Sequence, residues 1–205
     1  MTAMNLHHDF TNPGRRAVLR LAGLSLVAGA LAACSRNEGT AGAGADKASS
    51  AKVADPMALA ATARGFSVGP AMAANTIYVF FDATCPHCAR LWTDSQVLHN
   101  RLKMVWIPVG LLRGGAEHGA VIMAASDPVA AMAGNEAAVS AGRSGPPASE
   151  PPAEALALVK ANTEIFNQLG VQSVPVIVYR KAATGVAGVE AGYRSPEQIT
   201  ALVGI

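Results

Sequence analysis

The chain has few cysteines and little net charge. Only three cysteines occur in 205 residues, which excludes a fold held together by several disulfide bonds. The net charge is +2, and no lysine- or arginine-rich run occurs in the body of the chain, so we expect no nucleic-acid partner. No internal repeat is evident, and a chain of this length suits one domain with extensions better than two full domains.

No apolar run is long enough to cross a bilayer as a helix of about 20 residues. An uncharged stretch, Leu21–Ala33, follows Arg15 and Arg16 and ends directly before Cys34. Positive residues, a short apolar run and small residues before a cut point are typical of a secretory signal rather than of a buried helix. We therefore predict a signal peptide at 1–33, similar to twin-arginine signals. Its last residues before Cys34 resemble a lipobox, so we expect Cys34 to be lipidated and the protein to be anchored to a membrane in the periplasm.

Residues 34–55 are small and polar after Cys34 and cannot bury enough apolar surface to order themselves. A flexible segment of this length averages roughly 25 Å from end to end. The composition of residues 34–55 therefore predicts a flexible tether between the membrane and a domain at 56–205. The domain begins with Asp55 as an N-cap and Pro56 as the first residue of a helix expected to reach about Arg64.

The first half of the domain has the pattern of a strand, a helix and a strand. Thr76–Asp82 is β-branched and aromatic, as in a strand that is buried on both faces. Helical spacing follows over Cys85–Arg101, with Val97 among its core-facing residues, and Lys103–Val109 predicts a second strand. This order favours a βαβ unit with parallel strands.

The second half predicts a helix, two strands and a helix, separated from the first half by a helical insertion at about 110–150. Short helices are expected in the insertion near Ala116–Ala125 and Val129–Ala141. The elements after it are a helix at Ala153–Leu169, strands at Pro175–Arg180 and Val186–Ala191, and a helix opened by Ser195. The whole pattern predicts an α/β fold.

The sequence Cys85-Pro86-His87-Cys88 falls at the first turn of the predicted helix, directly after a buried strand. Unpaired N–H groups and the helix dipole stabilise a thiolate at this position, and His87 adds a further donor or positive charge. Pro86 fixes the turn without losing a needed hydrogen bond. The spacing lets Cys88 attack a mixed disulfide on Cys85, so we expect Cys85 to be the exposed nucleophile and Cys88 the buried resolving thiol.

Three other interpretations of this pair are weaker. A zinc site needs four ligands, and no second pair of cysteines or histidines has zinc spacing. Haem attachment needs a histidine directly after Cys88, where the chain has Ala89. A structural disulfide across so short a loop would constrain the unfolded chain little. We therefore expect no metal and no cofactor beyond a redox-active Cys85–Cys88 disulfide.

A Val174-Pro175 pair precedes the strand about ninety residues after the cysteines. Together with Cys-Pro-His-Cys, it resembles the thioredoxin superfamily, in which a cis-proline lies against the redox pair. The resemblance implies a thioredoxin-like fold in which Val174 offers its main chain to a substrate peptide.

The chain resembles the DsbC/DsbG-type periplasmic disulfide exchange proteins in particular. The resemblance rests on Phe81-Asp82-Ala83-Thr84-Cys85 and on the segment Asn162–Tyr179. It implies reduction or isomerisation of disulfides in exported proteins, with electrons from a membrane reductase of DsbD type. Asp82 and Thr84, which precede the cysteine pair, would tune the active site.

Two departures from that group leave alternatives open. Only about twenty residues lie between the tether and the first predicted strand, too few for the group's N-terminal dimerisation domain, so we expect a monomer. The Pro-His dipeptide and the valine before Pro175 are more similar to the oxidant DsbA, which favours a disulfide-donating oxidase as one alternative. An alternative of another class is a thioredoxin-fold module that binds or delivers copper through Cys85, Cys88 and a histidine.

Overall fold

The structure, a computed structural model, describes residues 53–145 and 150–205. The predicted signal peptide, Cys34 and most of the tether lie outside the described residues. Five strands form one sheet in the order β1-β3-β2-β4-β5. The strands are β1 Phe66–Val68, β2 Thr76–Phe81, β3 Lys103–Pro108, β4 Val176–Arg180 and β5 Ala187–Ala191. The α-helices are α1 Pro56–Ala60, α2 Pro86–Ser95, α3 Gly115–Ala124, α4 Pro128–Ser140, α5 Ala153–Gln168 and α6 Pro196–Val203.

The predicted βαβ unit is present as β2, α2 and β3. The two strands pair in parallel, with Thr76 opposite Lys103 and Phe81 opposite Pro108. The last three residues of each strand are buried, because helices cover both faces of the sheet at this end. Trp106 is fully buried and packs edge-on against Phe81. The unit therefore places the start of α2 at the carboxyl end of β2.

The second half completes the sheet with antiparallel strands. β4 pairs with β2 on one side and with β5 on the other. α5 ends before Gly170, whose φ of +71° is a left-handed conformation that favours glycine. Ser195 caps α6 in a capping box with Gln198.

The insertion between the two halves consists of α3 and α4. Asp127 caps α4 by accepting a hydrogen bond from Ala130 N, and Pro128 follows as its first residue. α4 packs against α2, and α3 packs against α5. The insertion therefore lies against the helix that carries the cysteines. In the described part of the chain, no helix has both the length and the apolarity needed to cross a bilayer.

Two details of the fold differ from the sequence prediction. α1 ends at Ala60, not near Arg64, and the short strand β1 follows it and pairs antiparallel with β3. The Asn162 side chain stabilises this extended segment, because it accepts from Arg64 N at 2.9 Å and donates to Arg64 O at 2.8 Å.

α2 is also shorter than predicted, ending at Ser95, with a single 3₁₀ turn at Gln96–Leu98. The prediction that Val97 faces the core was wrong, since its side chain is 68% exposed. The change to three residues per turn rotates Val97 outward, while Leu98 stays buried.

Candidate active site

Cys85 is the N-cap of α2, and Pro86 is the first residue of the helix. The main chain of Cys85 is extended, with φ −87° and ψ 117°, and its carbonyl accepts from Cys88 N at 3.0 Å. This geometry aims the free N–H groups of the first turn at the Cys85 side chain. Pro86 and His87 are exposed, whereas Cys85 is 4% exposed and Cys88 is fully buried. The prediction that Cys85 is exposed was wrong, because Cys85 lies in the buried core cluster, against which Val174 also packs. The exposed part of the motif is the Pro86-His87 dipeptide.

The environment lowers the pKa of the Cys85 thiol to about 6. The largest cause is a hydrogen bond from the Cys88 side chain. The main-chain N–H groups of Cys88 and His87 and the charge of His87 act in the same direction, while burial opposes them. Both thiols are free. A thiolate is therefore the prevailing form of Cys85 near neutral pH.

Cys88 has the opposite environment. Burial raises the pKa of its thiol well above the ordinary value, and the hydrogen bond to Cys85 and the charges of Cys85 and Glu136 raise it further. The two sulfurs thus differ in protonation as well as in depth. Cys85 can attack as a thiolate, whereas Cys88 must lose a proton before it can attack.

Asp82 lies at the end of β2 and is fully buried. Its Oδ1 accepts from Thr84 N at 2.9 Å and from Thr84 Oγ1 at 2.7 Å, and its Oδ2 accepts from Leu111 N and Leu112 N, each at 2.8 Å. The carboxylate therefore ties the loop before Cys85 to the loop after β3. Gly115 lies so close that a Cβ there would collide with Oδ2. Asp82 and Thr84 therefore make the contacts that shape the loop before Cys85, and their tuning of the pair stays a prediction.

Val174 and Pro175 lie beside the pair. The Val174–Pro175 peptide bond is cis, as the superfamily resemblance implied. The Cys85 Sγ lies 3.8 Å from the Val174 carbonyl oxygen, close enough for a weak S–H···O hydrogen bond when the thiol is protonated. The motif and the Val-Pro pair are thus brought together, although 89 positions separate Cys85 from Val174.

The insertion contributes two buried polar residues that the sequence analysis gave no role. Asn135 and Glu136 on α4 are 2% and 1% exposed. Asn135 Nδ2 donates to Ala83 O at 2.7 Å, in the loop before Cys85, and to Glu136 Oε1 at 3.3 Å. Burial raises the pKa of Glu136 to about 8, and the negative charges of Cys85 and Asp82 add to that rise, while the Asn135 hydrogen bond opposes it.

The arrangement can carry out thiol–disulfide exchange, because it joins a thiolate, a second sulfur one turn away and a nearby main-chain acceptor. Within 53–145 and 150–205, no three His, Cys, Asp or Glu side chains are grouped in a way that could hold a metal ion. The predicted lipidation site, Cys34, lies outside the described residues.

Comparison with known proteins places the chain in a family. A family model described as a thioredoxin-like domain matches residues 70–204. The thiol:disulfide interchange protein DsbG of Pseudomonas aeruginosa is 30% identical over 139 residues, which are 66% of this chain and 54% of that protein. The chain therefore matches about half the length of this curated relative.

Solved structures share the fold. Proteus mirabilis ScsC in a compact conformation superposes with a TM-score of 0.59 and 18% identity, over 72% of this chain and 74% of that one. Wolbachia pipientis alpha-DsbA1 gives a TM-score of 0.55 at 9% identity, over 69% and 89% of the two chains. Pseudomonas aeruginosa DsbA2 gives 0.52 at 18% identity, over 66% and 90%. The predicted α/β thioredoxin-like fold is confirmed.

Proposed function

Because the chain belongs to the thioredoxin-like domain family, we propose that it is a thiol:disulfide oxidoreductase that exchanges disulfides with exported proteins. The observation that carries this proposal is the contrast between the two thiols at the start of α2. The pKa of Cys85 is lowered to about 6, while that of Cys88 is raised. Such a pair suits a nucleophile and a resolving thiol, and it would not be needed in a purely structural disulfide.

In the reducing direction, the Cys85 thiolate attacks one sulfur of a substrate disulfide, and the other substrate sulfur leaves as a thiolate. Cys88 then loses its proton and attacks the Cys85 sulfur of the mixed disulfide. The substrate sulfur that was bonded to Cys85 leaves as a thiolate, and Cys85 and Cys88 form a disulfide. The substrate gains two electrons and the pair loses two. The Val174 carbonyl, 3.8 Å from Cys85 Sγ, lies where it can accept a hydrogen bond from a bound peptide.

We favour reduction or isomerisation as the physiological direction, because the curated relative is an interchange protein of DsbG type at 30% identity. Electrons would then come from a membrane reductase of DsbD type. The protein would work in the periplasm as a monomer, anchored by lipid on Cys34. These partners and this location follow from the resemblance and from the N-terminal sequence.

One observation favours the opposite direction. A low pKa of the attacking cysteine stabilises the reduced form of the pair and makes its disulfide a stronger oxidant. The lowered pKa of Cys85 and the Pro86-His87 dipeptide therefore support a disulfide-donating oxidase of DsbA type as the second candidate.

The redox state of the pair in the native cell distinguishes the two directions. Cells are quenched in acid, free thiols are alkylated with a bulky maleimide, and the added mass is read on a gel. We expect a reduced pair, which in an oxidising compartment requires an electron supply and indicates a reductase or isomerase. An oxidised pair that becomes reduced only when an upstream oxidant is deleted would establish the oxidase instead.

A double variant, Cys85→Ser with Cys88→Ser, is the matched control, because it reports any alkylation of Cys34 alone. The purified full chain should also accelerate the reduction of insulin disulfides by a small dithiol. The double variant should lose this acceleration. Equal rates for the two proteins would contradict the exchange activity in either direction, and stoichiometric copper binding without insulin reduction would favour the copper module.

A further inference from the structure

We propose that Glu136, on the insertion helix α4, takes the proton that Cys88 loses when Cys88 attacks the mixed disulfide. We further propose that Asn135 is a positioning residue for Glu136. The inference rests on the thiol–disulfide exchange proposed above, and it holds for either direction of electron flow because the same proton returns in the reverse step.

The first support is the burial of Glu136 without full hydrogen bonding. The side chain is 1% exposed, and its Oε1 accepts one hydrogen bond, from Asn135 Nδ2. Its Oε2 is buried and has no hydrogen-bond partner in the described part of the chain. A buried ionisable group with an unsatisfied oxygen destabilises the folded protein, and such groups are concentrated at functional sites.

The second support is the position of Glu136 beside the reactive pair. Asn135 holds the preceding loop directly, since its amide donates to Ala83 O at 2.7 Å. α4 packs against α2. Met132, one turn before Glu136, belongs to the same buried cluster as Cys85 and Cys88. A Cβ at Gly145 would collide with Asn135 Oδ1, so the loop after α4 packs closely on the positioning amide.

The third support is the set of charges around the carboxyl group. The titratable groups facing it are Cys85 and Cys88 at the start of α2 and Asp82 at the end of β2. On α3, His118 lies against Gly145, behind Asn135. β1, which also contacts α4, brings no titratable side chain.

The charge of Cys85 links the protonation of Glu136 to the reaction. A Cys85 thiolate raises the pKa of Glu136, in addition to the larger effect of burial. In the mixed disulfide Cys85 carries no charge, so this cause disappears and the pKa of Glu136 falls. Burial, the larger cause, remains, so the carboxylate form of Glu136 is more populated, though not unperturbed, at the step in which Cys88, whose own pKa is raised, must lose its proton.

The step is balanced. The Cys88 S–H bond breaks and its proton moves to the Glu136 carboxylate. The Cys88 thiolate forms a bond with the Cys85 sulfur, the bond between Cys85 and the substrate sulfur breaks, and the substrate leaves as a thiolate. In the reverse direction, protonated Glu136 returns the proton to the Cys88 thiolate as that sulfur is displaced.

A test separates the attack of Cys85 from the attack of Cys88. The full chain carries Cys34→Ser, so that Cys85 and Cys88 are its two remaining thiols. The reduced protein is mixed with the coloured disulfide dithiobis(nitrobenzoate) in a stopped-flow instrument. The first release of nitrothiobenzoate reports attack by Cys85, and the second, first-order release reports attack by Cys88 on the mixed disulfide. Both rates are measured from pH 5 to pH 9.

We expect Glu136→Gln to slow the second release about 10- to 100-fold at neutral pH and to leave the first within about twofold. Its second rate should then rise with pH in proportion to hydroxide, and Glu136→Asp should restore part of the loss. Glu164→Gln, on the exposed face of α5, is the matched control and should change neither phase.

Three results would overturn the proposal. A faster second release in Glu136→Gln would mean that Glu136 acts only as a negative charge that raises the pKa of Cys88. Equal slowing of both releases would mean a structural role, and unchanged rates would mean no role. Absence of a second release in the unsubstituted protein would instead contradict the proposed exchange chemistry itself.

Discussion

Two clusters of polar side chains contact the loop and helix that carry the cysteines, and they differ in burial. The buried cluster consists of Asp82, Asn135 and Glu136, all at most 2% exposed. The surface cluster consists of Arg90, Asp94 and Tyr193, with the side chains of Arg90 and Asp94 66% and 36% exposed. In the surface cluster, Arg90 lies 4.2 Å from the ring centroid of Tyr193, whose hydroxyl donates to Asp94 at 2.6 Å.

The difference in burial determines what each cluster can do. Water cannot replace a hydrogen bond that is lost inside the protein, so breaking a buried contact leaves its partners unsatisfied. Buried charges also act on each other with little screening and can shift the pKa of a neighbour. Exposed pairs are screened and contribute little. We therefore expect the buried cluster to control both stability and protonation, and the surface cluster to control neither.

The largest effect is expected from Asp82→Ala. The substitution leaves the N–H groups of Thr84, Leu111 and Leu112 without their acceptor. We expect the free energy of unfolding, measured with urea, to fall by about 3–5 kcal/mol. Asp127→Ala is the matched control, because Asp127 caps α4 at the surface with one hydrogen bond, and it should cost about 1 kcal/mol. Similar losses for the two variants would remove the distinction between the clusters.

A second effect is expected from Glu136→Gln on the pH dependence of stability in the oxidised protein, where neither sulfur titrates. Burial raises the pKa of Glu136 in the folded protein above an ordinary 4.5, to about 8 in the reduced form, and burial persists in the oxidised form, where the Cys85 charge is absent. Between these values the unfolded chain has lost the proton and the folded protein retains it. The contribution of Glu136 is therefore fully present below the unfolded value and is lost as the pH rises towards the folded one.

Glu136→Gln removes this dependence. We compare the free energy of unfolding of the variant with that of the unsubstituted protein at each pH. The difference should favour the variant by at least about 1–2 kcal/mol more at pH 8 than at pH 4. Urea unfolding at the two pH values measures it. A constant difference between the two proteins would show that Glu136 titrates normally and would contradict its inclusion in the buried cluster.

A third effect concerns the pKa of Cys85, measured as the pH at which iodoacetamide alkylation reaches half its maximal rate in the Cys34→Ser protein. We expect a midpoint near pH 6. Because the largest cause of the low value is the hydrogen bond from Cys88, Cys88→Ala should raise the midpoint by about one unit or more. His87→Gln, which removes only the smaller charge effect, should raise it less. A larger shift in His87→Gln than in Cys88→Ala would contradict this order of causes.

The sequence was sufficient to predict the elements that carry the sulfurs. The β-branched run of β2 and the turn chemistry of Cys85-Pro86 are local features, and local features determine where a strand ends and a helix begins. The strands β4 and β5 and the helix start at Ser195 were predicted for the same reason. The position of Val174-Pro175 beside Cys85 could be predicted only from the superfamily resemblance, because it depends on a contact across 89 positions.

The buried cluster could not be predicted in this way. A single glutamate in the alanine-rich helix α4 has the pattern of a solvent-exposed residue, and its burial depends on how α4 packs against α2. β1 has only three residues between Gly65 and Gly69, too few to show alternation. Asp82 was noticed as the aspartate before the motif, but two of its four hydrogen bonds reach a loop 29 and 30 positions away. Long-range packing, not local propensity, supplies these contacts.

The smallest effect is expected from Tyr193→Phe in the surface cluster. The substitution removes the hydrogen bond to Asp94 but leaves the ring for Arg90, and water can solvate the released carboxylate. We therefore expect the free energy of unfolding to fall by no more than about 0.5–1 kcal/mol, and the alkylation midpoint of Cys85 to stay the same. Both measurements are those used for the buried cluster, so the variants can be compared directly. A loss as large as that of Asp82→Ala would mean that Tyr193 holds α2 against the segment after β5, and that burial alone does not separate the two clusters.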